Sequence, residues 1–332
     1  MNAAYLFRLV CLSLASFFLV NGIAGAATAL FSSAAIRSAQ TMRPRPAARF
    51  LFILRMVPSV LGVTVVLGLC VPSYLWLEPQ FASERVGLAC LLLAALAGVM
   101  CSDSLIRTAQ AIRTSARLKK EWRHSGNDTL LTDQESQAVV GEKATVIQKK
   151  EPLLVMSGIF RPRMVISSGV LTELSKEQLA VAVRHETAHR ESRDNLKRLL
   201  LVLSPQFSPF ANGFAALEKT WVTFSEWAAD DEAVQGDSQR ALSLAAALLR
   251  VARMGKQARL SVLQTSLLSA DQDLSARVER LLCLESLPME NARQTHSRAV
   301  VRSLCLIVCA AGLVGIPATL SSVHRLMELF LR

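Results

Sequence analysis

Long apolar runs dominate the first third of the chain, and one more occurs near its end. They cover residues 9–31, 50–77, 86–101 and 303–320. Because about 20 apolar helical residues cross a bilayer core of roughly 30 Å, each run is predicted to form one span. The third run is short, but the mostly uncharged residues toward Leu105 extend it. The pattern therefore predicts about four transmembrane helices.

Between the third and fourth runs the hydrophobic pattern is that of a soluble domain. Three short stretches, rich in β-branched and apolar residues and separated by turn sequences, cover residues 145–148, 153–157 and 164–167. Stretches of this length and composition are typical of strands. The pattern predicts a small antiparallel sheet.

Helical patterns follow the predicted sheet. Ser175, with Gln178 three residues later, matches a capping box, so a helix is expected to begin there and to continue toward Leu201. Pro205 and Pro209 then break any helix. Further helices are expected over residues 221–234, 238–254 and 275–284. These elements predict a mainly α membrane protein with an inserted α+β domain.

Charge gives the orientation of the predicted spans. The formal net charge is +11, and the Lys and Arg residues cluster at the ends of the apolar runs, where a cytoplasmic membrane surface places them. Contact with membrane lipid is therefore expected, and direct nucleic-acid binding is not. Arg8 alone precedes the first run, whereas four arginines follow it within residues 37–49. This asymmetry favours a retained first span with the N-terminus outside.

Basic residues also flank the soluble part. They occur within residues 107–123 and again within residues 293–302, so this part is predicted to face the cytoplasm and the C-terminus to lie outside. The expected location is the inner, cytoplasmic membrane. The predicted domains are an N-terminal membrane region, a cytoplasmic domain, and a last helix with a short outer tail, over residues 1–106, 107–298 and 299–332.

The candidate chemistry lies in the helix that is expected to begin at Ser175. His185 and His189 are one helical turn apart, so both imidazoles can project toward one metal ion. Glu186 lies at the edge of that face, where it can take a proton from a metal-bound water, as the general base of a zinc peptidase does. The alternative is a surface helix in which two histidines bracket a glutamate by chance. The pattern favours a Zn²⁺ site with Glu186 as the catalytic residue.

A catalytic zinc ion usually takes three protein ligands and one water. We expect Glu226, on the next predicted helix, to be the third ligand, with Asp230 one turn beyond it as the acceptor for an imidazole N–H. The alternative is a solvated acidic face, since Asp231 and Glu232 continue the negative charge. The two histidines favour the ligand interpretation.

Two features of the site stay open at this level. Asp194 is positioned to orient a ligand, but it is equally placed to pair with Arg190 or Arg193. The only tyrosines, Tyr5 and Tyr74, fall in the apolar part, so an arginine, another histidine or the zinc ion itself would have to stabilise the oxyanion.

The order of several motifs resembles that of the BlaR/MecR-type membrane zinc metallopeptidases. The motifs lie between residues 145 and 234 and are much more specific together than the histidine motif alone. They are Ser157-Gly158-Ile159-Phe160-Arg161-Pro162-Arg163, Leu174-Ser175 with Glu177-Gln178-Leu179, His185 to His189 with Arg193-Asp194-Asn195-Leu196, and Glu226 with Ala229-Asp230-Asp231.

The resemblance implies a fold and a set of roles. In that family three spans precede a cytoplasmic gluzincin-type domain and a fourth follows it, and the best-known members cleave a cytoplasmic DNA-binding repressor. By resemblance, His185, His189 and Glu226 are zinc ligands and Glu186 is the base. Only a short tail follows Leu320, so the C-terminal penicillin-binding sensor domain of the family is not expected.

The function expected from the sequence is that of an integral-membrane zinc endopeptidase in signal transduction. Its substrate would be a cytoplasmic protein, with a transcriptional repressor as the leading candidate. One alternative is a housekeeping membrane peptidase similar to the HtpX or CAAX prenyl protease group, which the Arg193-Asp194-Asn195 continuation disfavours. Another is a non-catalytic membrane signalling protein, which the intact motif disfavours.

Overall fold

Two compact units make up the chain. The first comprises residues 1–106, 203–220 and 293–332, and the second comprises residues 107–202 and 221–292. The computed structural model describes residues 3–77, 86–125, 144–206, 210–254, 265–266 and 274–283. The predicted fourth span, residues 303–320, and the outer tail lie outside the described residues. The predicted domain limits stay predictions.

Long apolar helices build the first unit. They are α1 (Ala3–Leu30), α2 (Ser32–Gln40), α3 (Pro44–Val65), α4 (Val71–Leu77) and the first part of α5 (Leu88–Ser125), with a π-helical turn, Val66–Cys70, between α3 and α4. Within the described residues, three helical segments are long and apolar enough to cross a membrane, namely Ala3–Leu30, Pro44–Leu77 and Leu88–Trp122. They correspond to the first three predicted spans. The chain is thus a membrane protein.

Residues 203–206 and 210–220 pack into the first unit around a buried arginine. Arg55 of α3 is 1% exposed, its Nε donates to Glu218 Oε1 at 2.7 Å, and its Nη1 donates to Ser204 Oγ at 3.1 Å. Its guanidinium also lies 4.5 Å from the centre of the Phe214 ring. A buried cation is tolerated only with such partners, so these contacts anchor the two stretches.

A four-stranded sheet forms one side of the second unit. The strands are β1 (Thr145–Ile147), β2 (Leu154–Ser157), β3 (Arg163–Ser167) and β4 (Thr265–Ser266), in the order β1-β3-β2-β4. β2 is antiparallel to β3 and β4, but β1 is parallel to β3. The prediction of a purely antiparallel sheet is therefore wrong for this pair. The tight turn between β2 and β3 makes those two strands neighbours, so β1 pairs with the free edge of β3.

Helices complete the second unit. They are α6 (Ser168–Glu173), α7 (Lys176–Ser192), α8 (Asp194–Leu203), α9 (Ala211–Val234), α10 (Ser238–Arg253) and α11 (Leu274–Cys283); the end of α8 and the first part of α9 belong to the first unit. The predicted capping box is confirmed at the start of α7. Ser175 Oγ accepts from Gln178 N at 3.3 Å, and Gln178 Oε1 accepts from Ser175 N at 3.1 Å.

The helix predicted to run from Ser175 toward Leu201 is in fact two helices. α7 ends at Ser192, Arg193 takes a left-handed conformation with φ 55° and ψ 40°, and α8 begins at Asp194. Such a conformation costs a residue with a Cβ about 1–2 kcal/mol, and local apolar periodicity does not predict it. The break changes the direction of the chain directly after the two histidines.

The core of the second unit holds α7 in place. Ala182 of α7, Leu244 and Leu248 of α10, and Ile166 of β3 are all fully buried in one apolar cluster. Each buried leucine contributes about 1.5–3 kcal/mol relative to an exposed one. The helix that carries the two histidines is thus packed between the sheet and α10.

Candidate metal centre

Three side chains that can ligate a metal ion converge in the second unit. His185 and His189 of α7 and Glu226 of α9 are at most 1% exposed. The two Nε2 atoms are 3.1 Å apart, His185 Nε2 is 3.5 Å from Glu226 Oε2, and His189 Nε2 is 3.6 Å from Glu226 Oε1. One ligand atom from each residue lies within 4.8 Å of the others, as the sharing of one ion requires. The structure therefore brings together the three residues that the sequence singles out.

The outer nitrogen of each imidazole faces a carboxylate. His185 Nδ1 lies 2.9 Å from Asp230 Oδ1, and His189 Nδ1 lies 2.8 Å from Asp194 Oδ2. An ionised carboxylate only accepts, so the hydrogen bond to Asp194 places the proton of His189 on Nδ1 and leaves a lone pair on its Nε2. The Asp230 carboxylate favours the same tautomer in His185 by its charge. This is the arrangement in which outer carboxylates orient metal-binding histidines.

The convergence of lone pairs fits a metal ion. The two Nε2 atoms face each other and the carboxylate of Glu226, and neither oxygen of Glu226 has a hydrogen-bond partner among the described residues. A buried carboxylate without hydrogen bonds is unfavourable, as is a close approach of lone pairs. Both become favourable when a cation lies among the three groups. The donor set thus suits a metal ion.

Electrostatics of the site favour positive charge. Burial opposes protonation of His189, but the charge of Glu226 and the bond to Asp194 outweigh it and raise the His189 pKa to about 10. Burial would raise the Glu226 pKa, but the charge of His189, the contacts with both histidines and the charge of Arg277 hold it well below its ordinary value. A proton or a metal ion is thus strongly attracted to this place.

Asp194 reaches His189 because α7 ends where it does. In an unbroken helix, residues five apart point about 140° away from each other. The left-handed Arg193 instead turns the chain, and Asp194 contacts His189 as well as Lys197 Nζ, at 2.8 Å. The contact with His189 is the one that orientation of a ligand requires, and that role of Asp194 stays a prediction.

Glu186 follows His185 in α7, and its side chain lies against the sheet. It is fully buried, and its Oε2 accepts from Met156 N of β2 at 3.2 Å. Asn195 reinforces the same junction, because its Nδ2 donates to Met156 O at 2.9 Å and to Gly158 O at 2.8 Å. The strand therefore fixes both the glutamate and the start of α8. Local spacing alone did not predict the role of Asn195.

Sequence reasoning missed Arg277 of α11, which contacts Asp230 and Glu226. It thus lies at the edge of the metal-binding group, which comprises His185, His189 and Glu226. Its Nε and Nη2 donate to the two oxygens of Asp230 at 2.9 and 2.6 Å, and its Nη1 is 3.3 Å from Glu226 Oε2. Arg277 is 2% exposed. A signal was available, since Arg277 shares the apolar face of α11 with Leu274 and Leu281, and a cation on such a face needs a buried partner.

A cavity opens beside His189. It has a volume of about 460 Å³, and its wall combines apolar, basic and amide side chains. Phe160, at the turn between β2 and β3, is 82% exposed and lies at this cavity. The lining residues are Met156, Ile159, Phe160, Pro162, His189, Arg190, Arg193, Asn195 and Leu196. The cavity therefore leads from the surface of the second unit to one of the histidines.

The fold and the site together define a class. Two histidines one turn apart on a helix, a glutamate between them and a carboxylate as third ligand from a later helix are the arrangement of metallopeptidases, and the chain also has helices long enough to span a membrane. Residues 77–281 match the family model described as BlaR1 peptidase M56, and the chain belongs to this peptidase family. The resemblance seen in the sequence is thereby confirmed. A search of curated proteins gave no match.

Proposed function

We propose that the chain is an integral-membrane zinc endopeptidase that cleaves a protein at the cytoplasmic side of the inner membrane. One observation carries the proposal: His185, His189 and Glu226 converge in a buried group, and the buried Glu186 follows His185 on the same helix. Two imidazoles and one carboxylate are the ligand set of many catalytic zinc sites. Gluzincin-type architecture is part of the same proposal.

Each residue has a defined task in this mechanism. His185, His189 and Glu226 would hold the zinc ion, and Asp230 and Asp194 keep both imidazoles in the tautomer that binds metal. When bound, zinc lowers the pKa of a water toward neutrality and polarises the peptide carbonyl. Glu186 accepts the proton of the attacking water and passes it to the leaving amine.

The substrate that we propose is a cytoplasmic regulatory protein, with a transcriptional repressor as the first candidate. Membership of the BlaR1 peptidase family supports a membrane peptidase, and the basic residues that flank the spans support a cytoplasmic site. The cavity beside His189 offers space for a substrate side chain. Signal transduction is the process that such cleavage would serve.

Removal of the metal ion is expected to abolish cleavage reversibly. Membranes that contain the chain would be incubated with regulators encoded beside its gene, and cleavage would be followed by gel electrophoresis with and without 1,10-phenanthroline. Cleavage should stop with the chelator and return when Zn²⁺ is added, because the three ligands stay folded around the site. Matched membranes with Glu186→Gln control for other peptidases. Cleavage by the wild type that resists the chelator would contradict the proposal.

Asp194→Asn is expected to weaken zinc binding by about 10–100-fold, the usual effect of losing a carboxylate that orients a histidine ligand. The amide cannot hold the His189 N–H as strongly, and it can present its own N–H to the ring instead. Zinc affinity would be measured by competition with a chromogenic chelator.

Glu191→Gln is the matched control, since Glu191 is an exposed carboxylate of the same helix α7. It should bind zinc as the wild type does. Equal affinity of both variants would show that Asp194 does not orient His189.

A further inference from the structure

Peptide cleavage by attack of water requires a stabiliser for the negative charge that develops on the carbonyl oxygen. Tyrosine often supplies this, but the two tyrosines of the chain belong to the first unit. There, the Tyr5 hydroxyl donates to Tyr74 O at 3.4 Å, and the Tyr74 hydroxyl donates to Tyr5 O at 3.3 Å. Neither hydroxyl is therefore available for this task.

Arginines supply positive charge beside the metal-binding group. Among the described residues, the arginines within 4.0 Å of a Glu226 oxygen are Arg277 and Arg198. Arg277 is 2% exposed, and it uses two of its nitrogens on Asp230 and turns the third toward Glu226. Its three nitrogens face these carboxylates, so Arg277 stabilises the ionised Asp230 and Glu226.

Arg198 of α8 differs from Arg277 because its Nε and Nη2 donate to no carboxylate of the described residues. Its side chain is 13% exposed, and its Nη2 lies 3.9 Å from Glu226 Oε1, beyond hydrogen-bond distance. Its guanidinium carbon is 5.7 Å from the centre of the Trp221 ring, which keeps the group beside α9. Nε and Nη2 are buried and have no hydrogen-bond partner among the described residues. Two donors of a cation are thus held close to the metal-binding group without an acceptor.

Unpaired buried donors of a cation are costly, and they occur where a ligand supplies the acceptor. A substrate carbonyl that is polarised at the metal centre would be such an acceptor. The aromatic ring restrains the guanidinium without taking a hydrogen bond from it. Preorganised donors of this kind are the usual means of stabilising an oxyanion.

We propose that Arg198 is a catalytic residue that donates an N–H to the substrate carbonyl oxygen as it becomes negative. This inference rests on the proposed function. As the oxygen of water bonds to the carbonyl carbon, its proton goes to Glu186 and the π electrons move onto the carbonyl oxygen, which Arg198 then binds. When the carbonyl re-forms, the C–N bond breaks. The nitrogen leaves with the electron pair of the C–N bond and takes the proton from Glu186.

Arg198→Gln and Arg198→Lys test this role, with Arg184→Gln as the control because Arg184 is exposed on α7. Three quantities would be measured in detergent-solubilised full-length protein: zinc affinity, kcat and KM for fluorescein-labelled casein, and affinity for a peptide phosphonamidate, which mimics the transition state. For Arg198→Gln we expect zinc affinity that is no weaker than in the wild type, a kcat lower by about 10²–10³-fold, and a phosphonamidate affinity that falls in parallel. Arg198→Lys should recover part of both losses.

The outcomes separate this inference from the proposed function. Unchanged kcat and phosphonamidate affinity in a zinc-loaded Arg198→Gln protein would overturn the inference and leave the peptidase intact. A loss that appears only as weaker zinc binding would also overturn it, since Arg198 would then only position Glu226. A wild type that binds neither zinc nor the phosphonamidate would contradict the proposed function itself.

Discussion

Glu186→Gln should keep its zinc ion and lose about 10²–10⁴-fold in cleavage rate, which is the usual contribution of a general base. The amide has nearly the same shape as the carboxylate, and its carbonyl oxygen can still accept from Met156 N, so the packing of α7 on β2 should persist. What it cannot do is take a proton from water. Bound zinc, measured by atomic emission, and the rate of regulator cleavage would be compared for both proteins.

Glu177→Gln is a suitable control for this variant. Glu177 lies in the first turn of α7, and its side chain is exposed. Its replacement by glutamine removes one negative charge from the same helix. It should cleave as the wild type does. If Glu186→Gln cleaved at an unchanged rate with zinc bound, the base would have to be another residue.

Arg277→Met should cost about 3–5 kcal/mol of folding free energy, the range measured when one partner of a buried ion pair is removed. Asp230 would lose two hydrogen bonds, and Glu226 would lose a cation that lies 3.3 Å from its Oε2. Burial would raise the Asp230 pKa, but the Arg277 charge and the contact with His185 hold it at about 2, so the carboxylate stays ionised and needs the cation. Thermal unfolding of the solubilised protein, with and without zinc, would measure the loss.

Arg280→Met provides the comparison from the same helix. Arg280 pairs with Asp231, and both side chains are partly exposed, at 25% and 36%. Solvent screens such a pair, so its loss should cost less than about 1 kcal/mol. Adding Asp230→Asn to Arg277→Met should recover part of the lost stability, because the unpaired charge is then gone. Equal unfolding temperatures for the two single variants would contradict the assigned role of Arg277.

Sequence periodicity was sufficient for those features that lie on one helix. The spacing of His185 and His189 follows from 3.6 residues per turn, and so does that of Glu226 and Asp230. The apolar runs likewise predicted the three helical segments that are long and apolar enough to cross a membrane. In each case the information is local, because neighbouring turns of one helix determine which side chains share a face.

Features that depend on chain direction or on distant partners were not predictable in this way. The left-handed Arg193 has no glycine signal, so the break between α7 and α8 was missed. The parallel pairing of β1 with β3 depends on which strand edge is free after the turn between β2 and β3 has formed. Arg277 meets Asp230 across 47 residues, a separation that helical spacing cannot relate.

The site therefore combines two kinds of information. Its ligand atoms come from two helix faces that can be recognised in the sequence, whereas Arg198 and Arg277 come close to Glu226 only through tertiary packing. Arg277 occupies the apolar face of α11, where the carboxylates of Asp230 and Glu226 contact it. A basic residue on the apolar face of a predicted helix therefore indicates a buried carboxylate partner elsewhere in the chain.

The turn at Arg193 makes the stretch between His189 and Asp194 intolerant of any change in length. One residue inserted or deleted there would rotate the following side chains by about 100° and carry Asp194 away from His189. Genome searches can use this constraint, because a motif with an aspartate at a fixed distance after the second histidine is more restrictive than the two histidines and the glutamate alone. Surveys of natural insertions and deletions in such proteins should find none within this stretch.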